Sequence, residues 1–368
     1  MAPLSLLLLL LAALTPSPAA ARFTCNAKSR ATTCQALISY TPPPNATTTL
    51  RDVRTLFQLR SHRALLAANA LPLTTPQSAP APSPIRVRLP CLCSGGAGAT
   101  FQRPTYKVRA GDTLDAVARG VFAGLLTYRD IAAANNVSDP NRVAVGQDLR
   151  VPLPCSCDPV AGLGAVVHLT YVVPAGSSIA GIAEEHGTTE QTLLQLNRLP
   201  DAKSLLAGQV LDVPLRVCSS AISNTAIDSN LRVPNASYIL TANNCVMCGC
   251  SSNTWQLDCQ PTQGLTSAVC PVAKCGDLFL GNTSVTTSPA SPCEGTACLY
   301  AGYTNTTSFA ILTNLTSSSM CDAAGLSPAA QPSHSSASGL GLPALWSWSE
   351  LVVGIHIVLL CLGFLHRD

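Results

Sequence analysis

At 368 residues the chain has room for several small domains, yet only 11% of it is charged and the net charge is +3. With no basic field and aromatics at 5%, it lacks both the electrostatic footprint and the stacking platform of a nucleic-acid binder. Its 17 cysteines say more: Cys361 lies in an apolar tail, and the even set from Cys25 to Cys321 reads as a disulfide framework made in an oxidising compartment.

Residues 1–21, nearly all leucine and alanine over 4–14 and ending in Ala19-Ala20-Ala21, read as a secretory signal peptide with a small-residue cleavage site. Residues 22–93 carry Cys25 and Cys34 without strong periodicity, then Pro42-Pro43-Pro44 and a proline-rich stretch, 71–84, that reads as a surface loop. Residues 105–154 form the best-defined unit. Tyr106–Arg109 reads as a short strand ending at a turn on Gly111, and Asp112 or Thr113 can cap a helix from Leu114 to Arg119. Thr127 and Asp130 make a capping box for a second helix, and Leu149–Pro152 closes the unit as a strand.

Residues 170–216 repeat the pattern. Tyr171, Gly176, Ile179, Asn197 and Gly208-Gln209 stand where Tyr106, Gly111, Leu114, Asn135 and Gly146-Gln147 stood. A degenerate copy precedes both within 22–93. There Ile85–Cys93 matches Leu149–Cys157, Arg63–Asn69 parallels Arg129–Asn135, and Pro42–Pro44 occupies the place of the first strand and glycine turn. The fold class is therefore α+β: three small strand-helix-helix-strand units followed by a Cys-rich module. Units of this size are below comfortable independent stability. Cys25, Cys34, Cys91, Cys93, Cys155 and Cys157 flank the first two units, and sequence leaves their pairing open. A Cys-x-Cys cannot easily bond to itself, so each pair should clip different segments into a stapled cluster.

Residues 217–321 hold ten cysteines and little helical periodicity. Cys245-x-x-Cys248-x-Cys250 invites a zinc reading, but no histidine lies nearby and an oxidising compartment favours disulfides, so no metal or cofactor is expected. Residues 322–336 are a Ser/Ala/Pro stalk. Residues 337–368, with small residues, a spacer and apolar Leu351–Leu365, read as the propeptide of a glycosylphosphatidylinositol (GPI) anchor attached at Ser336 or Ala337. N-glycosylation sequons begin at Asn45, Asn136, Asn235, Asn282, Asn305 and Asn314.

The Gly111-Asp112-Thr113-Leu114 turn, the Asn135 that follows the second helix and the Gly146-Gln147-x-Leu149-x-Val151-Pro152 close resemble the lysin motif, LysM. Three such units separated by Cys-x-Cys, between a signal peptide and an anchor tail, are similar to the GPI-anchored LysM receptor-like proteins of plant cell surfaces. The resemblance implies binding of N-acetylglucosamine-containing glycans, chitin oligosaccharides and/or peptidoglycan, in a groove between two loops. Those loops are Gly111–Leu114 and Asp139, Pro140, Asn141, Arg142, Val143, Ala144 and Val145. Backbone groups at the glycine turn would bond the acetamide, and Leu114 or Val143 would touch its methyl. A purely structural role competes at each position: backbone angles at Gly111, capping at Asp112 or Thr113, core packing at Leu114. Asn135 reads as a structural hydrogen-bonder.

The third unit departs from the pattern, with Gly176, Ser177, Ser178 and Ile179 as a weaker candidate turn. The resemblance also implies a LysM receptor kinase as signalling co-receptor in innate immunity, and homo- or hetero-oligomers with related proteins. A non-signalling glycan scavenger or wall adhesin is the alternative. No enzyme is expected: there is no Gly-x-Ser-x-Gly, His-Glu-x-x-His or phosphate loop, and Glu184-Glu185 ahead of His186 point about 100° apart on a helix.

Overall fold

The computed structural model describes residues 23–25, 31–44, 47–262, 270–288, 291–305 and 308–319. The signal peptide, Asn45, Cys321, the stalk, Ser336, Ala337 and the anchor segment lie outside the described residues. Among those described, no helix is long and apolar enough to cross a membrane.

The first unit contains β1 (Thr32–Tyr40), α1 (Leu50–Leu56), α2 (His62–Ala68) and β2 (Ile85–Ser94), with β3 (Ala97–Thr100) folding back on β2. The first strand, whose place in the repeat falls at Pro42–Pro44 by sequence, is present upstream at Thr32–Tyr40. Its last five residues are all buried, because β1 is covered on both faces and so carries no apolar/polar alternation to read. Leu37 faces one core and Ile38 the other.

The second unit has β4 (Thr105–Lys107), then α3 (Leu114–Ala116) running into a π-helical turn at Val117–Val121, then α4 (Tyr128–Ala134) and β5 (Asp148–Arg150). The third has β6 (Val166–Val172), α5 (Ile179–His186), α6 (Glu190–Leu196) and β7 (Val210–Arg216).

The units are fused in two different ways. Units one and three share a five-stranded sheet in the order β3-β2-β1-β6-β7, joined by parallel pairing of Leu37 with Leu169 and Ile38 with Thr170. Units one and two share a core, threaded by an edge-to-face chain in which Tyr40, Phe57, Phe122 and Tyr106 lie 5.1, 6.1 and 6.2 Å apart in turn. Disulfides Cys34–Cys157 and Cys91–Cys155 tie these two units, and Cys25–Cys93 ties the N-terminal segment to β2. Each Cys-x-Cys does clip different segments.

Beyond unit three, a sheet of β8 (Ser237–Thr241), β9 (Val246–Cys250) and β10 (Leu257–Pro261) opens the Cys-rich module. Two short strands, β11 (Lys274–Cys275) and β12 (Leu278–Phe279), precede a second sheet of β13 (Thr283–Ser288), β14 (Ser291–Thr304) and β15 (Ala310–Ser319). Cys218–Cys250, Cys245–Cys270, Cys248–Cys259 and Cys275–Cys298 are disulfides, so the Cys245/Cys248/Cys250 cluster is bonded as the compartment implied. The module leans on unit one, where the Tyr238 hydroxyl donates to the Leu71 carbonyl at 2.7 Å and Arg86 Nη1 to the Asn235 carbonyl at 3.1 Å.

Candidate functional site

β4 and β5 pair antiparallel, Tyr106 opposite Leu149, and the ladder extends through Val108 N–H to the Gln147 carbonyl (2.9 Å) and Gly146 N–H to the Val108 carbonyl (2.8 Å). The turn at Gly111 and the loop 139–145 therefore leave the same end of one ladder. Gly111 sits at φ +87°, where glycine alone is relaxed. Asp112 closes the turn: its Oδ2 accepts from the Tyr106 hydroxyl and from Arg109 N–H, both at 2.7 Å. Those two bonds hold its carboxyl below the usual carboxylate range, while burial and the Asp112 bond push Tyr106 up to about 12. Thr113, not Asp112, is the helix cap, accepting from Ala116 N–H at 3.1 Å.

The Leu114 side chain is fully buried in the core shared by units one and two, which corrects its expected place against a saccharide methyl. An apolar residue just inside the helix start packs beneath the turn, and Ile179 does the same in unit three.

The second loop is braced at both ends. Asp139 Oδ1 accepts from Asn141 N–H at 3.0 Å, Arg142 lies 3.8 Å from the same carboxylate, and Gln147 Oε1 accepts from Ala144 N–H at 3.2 Å. Pro140 and Val143 are half-buried, Val143 against the core, while Asn141, Arg142 and Ala144 are exposed. Val145 is 69% exposed, an apolar side chain in water at the loop's end. Asn135 fixes where the loop begins: Nδ2 donates to the Ile131 and Arg150 carbonyls and Oδ1 accepts from Arg150 N–H, each at 2.8 Å. Asn69 and Asn197 make the same three bonds in their units.

The three units differ at the helix start. In unit two, neither Leu114 N–H nor Asp115 N–H has a protein acceptor among the described residues. In unit one the equivalent groups are occupied by the chain itself. Leu50 N–H donates to the Ala79 carbonyl at 3.0 Å and Arg51 N–H to the Gln77 carbonyl at 2.8 Å, so the proline-rich stretch closes on that turn as a strap. Unit three keeps the open form: Gly176 at φ +82°, Ser178 capping Gly181 N–H at 3.1 Å, and Ser177 where Asp112 stood. Its second loop carries Leu206, 60% exposed.

His168 and His186 sit in the scaffold. His186 ends α5 as the sequence indicates, edge-on to Tyr171 at 5.1 Å, and burial lowers its pKa. His168 and Asp212 form a buried pair, Nδ1 to Oδ1 at 2.8 Å, with Nε2 2.7 Å from the Asp158 carbonyl. Burial opposes charging His168, but Asp212 and the Asp158 carbonyl outweigh it and raise its pKa. Sequence reading missed this pair, although Asp212 in an otherwise apolar strand was a signal. Of the sequons, Asn136, Asn282, Asn305 and Asn314 are exposed, while Asn235 is half-buried and bonds Ser252 N–H at 2.9 Å.

The family model for the LysM domain matches residues 106–152 and 171–214. The chitin elicitor-binding protein of Oryza sativa subsp. japonica is 42% identical over 94% of this chain and 92% of its own. The chain belongs to the LysM domain-containing GPI-anchored proteins. Among them, LysM domain-containing GPI-anchored protein 2 of Arabidopsis thaliana is 38% identical over 92% of both chains. A solved receptor-like kinase ectodomain covers 49% of this chain and 90% of its own at 23% identity, with a TM-score of 0.41. Membership in this anchored LysM family places the chain on the extracellular face of the cell membrane.

Proposed function

We propose that the protein is a cell-surface receptor for N-acetylglucosamine-containing glycans, chitin oligosaccharides and/or peptidoglycan, bound between Gly111–Thr113 and Asp139–Val145 of unit two. In this reading it signals in innate immunity through a transmembrane LysM receptor kinase. The observation that carries it is the contrast between helix starts. Unit one satisfies its two N–H groups with peptide carbonyls of the Gln77–Ala79 strap, and in unit two the same two groups have no protein acceptor among the described residues, although Leu114 itself is buried. An acetamide carbonyl is chemically the same acceptor as a peptide carbonyl. Val145 and the exposed edge of Val143 supply the apolar contact that a methyl needs, in place of the buried Leu114. Unit three, with the same open start, is a weaker second site.

The relatives' names fit this reading, one being called a chitin elicitor-binding protein. The test is a pull-down of the anchored chain, released by phospholipase, on insoluble chitin and on peptidoglycan. Wild type is expected to bind one or both, and Val143→Tyr, which fills the gap between the loops, to lose binding while keeping its melting temperature. Wild-type protein that binds neither polymer removes the reading. Val143→Tyr binding as well as wild type removes the groove assignment alone.

A further inference from the structure

Units two and three meet differently from the other pairs. Neither the shared sheet nor the three N-terminal disulfides connects them directly, and between them lies a cleft of about 1070 Å³. One wall is the helical layer of unit two, with Leu126, Tyr128 and Ala133; the other is the loop from α6 to β7, with Leu199, Leu206 and Gly208. The cleft contains none of residues 111–113 or 139–145, but Asp115 at the helix start of unit two and Leu206 in the second loop of unit three do line it. Its volume is at the top of the roughly 300–1,000 Å³ range of ligand pockets, which favour such junctions.

Its carboxylates are already answered. Asp115 pairs with Arg119 at 2.8 Å, and Asp130 accepts from the Thr127 hydroxyl at 2.7 Å and the Thr127 N–H at 2.9 Å. Asp212 is held by His168, and Arg129 donates to the Tyr128 hydroxyl at 3.2 Å. Arg129 and Arg198 line the cleft without a carboxylate partner among the described residues, so an occupant with apolar faces and hydroxyl oxygens to accept from them suits what remains. The chain supplies one within reach. The sequon Asn136-Val137-Ser138 starts two residues after Ala134, which lines the cleft, and two residues span at most roughly 7 Å. Asn136 is exposed, at φ +52°, and its side chain has no hydrogen-bond partner among the described residues. The first sugars of an N-linked glycan are neutral and longer than that reach.

We propose that the N-linked glycan of Asn136 lies in this cleft and bridges units two and three. The covalent tether makes the contact intramolecular, so individually weak sugar contacts suffice to hold it.

Native deglycosylation of the phospholipase-released chain, followed site by site with mass spectrometry, tests this. Asn282 and Asn314 should be stripped freely, and Asn136 about tenfold more slowly, the protection given by a tethered equilibrium constant of about 10. Ala133→Trp and Leu206→Asp, which alter opposite walls, should each bring Asn136 to the rate of the other sites. As an independent readout, Asn136→Gln should speed amide exchange in residues 197–208. The proposal is overturned by Asn136 secreted without a glycan, by Asn136 stripped as fast as Asn314 in wild type, or by slow stripping that neither wall variant relieves. Residues 197–208 protected by added chitotriose but not by the glycan would assign the cleft to a free saccharide and also overturn it.

Discussion

Replacing Asn135 by alanine should loosen unit two by a predictable amount. The side chain closes three hydrogen bonds of 2.8 Å, two donated to carbonyls of α4 and β5 and one accepted from β5. A typical intramolecular bond contributes about 0.5–1.5 kcal/mol net, and these partners sit near water, so each falls toward the lower end. Asn135→Ala should therefore cost about 2 kcal/mol. In domains of 150–250 residues that corresponds to a fall of roughly 4–8 °C in melting temperature. Asn135→Asp sharpens the test. It keeps an acceptor for Arg150 N–H but turns a carboxylate oxygen toward two carbonyls, so it should be at least as damaging at neutral pH. Thermal and guanidinium unfolding of both variants, beside Gln191→Ala on an exposed helical position, give the comparison. If Asn135→Ala unfolds with Gln191→Ala and wild type, the three-bond clamp does not hold the unit closed.

Removing Cys34–Cys157 with paired alanines should cost less than its sequence separation of 123 implies. With Cys25–Cys93 and Cys91–Cys155 intact, the circuit it closes is only about 15 residues, so guanidinium unfolding should show a loss of roughly 3 kcal/mol, not nearly 5; a loss near the larger figure would contradict that pairing. His168 should stabilise most in acid. Its folded pKa is raised, so its contribution is complete below the ordinary histidine value of about 6.5 and disappears as pH rises through the folded value. The melting-temperature gap between wild type and His168→Gln should shrink from pH 5 to pH 8, and a gap that widens would reverse the assignment. Gly111→Ala meets no atom within 4 Å, so its cost is backbone strain alone, about 1–2 kcal/mol by denaturation, and Gly111→Asn should lose less.

Much of this fold was legible because the same physics is written three times. The caps at Thr113 and Thr127, the positive-φ glycine at 111 and the asparagine after the second helix are local requirements, and local requirements leave residue signatures. What escaped was non-local. β1 is buried on both faces, so it carries no apolar/polar alternation, and the prolines at 42–44 stand where the repeat would place a first strand. The parallel contact of Leu37 and Ile38 with β6 rests on backbone bonds that any residue can make. In the candidate site, the turn and loop stand out in the sequence by their repeat, but the Leu114 side chain faces inward, as an apolar anchor beneath the helix start. The strap was unreadable because carbonyls, not side chains, do its work. His168 and Asp212 lie 44 residues apart and meet only across the β6–β7 ladder.

The shared sheet also sets an order of events during synthesis. Unit one cannot finish when its own last residue leaves the ribosome, since β1 must wait for Leu169 and Thr170, and Cys34 for Cys157. At about 5–20 residues per second, the gap from Leu37 to Leu169 lasts on the order of 7–26 s. Throughout it, Leu37 has no core to enter and the edge of a nascent sheet stays unpaired in the secretory lumen. The chain's demand for a chaperone and for disulfide exchange is therefore concentrated while unit two is being translated. Truncations ending after unit two should be retained rather than secreted.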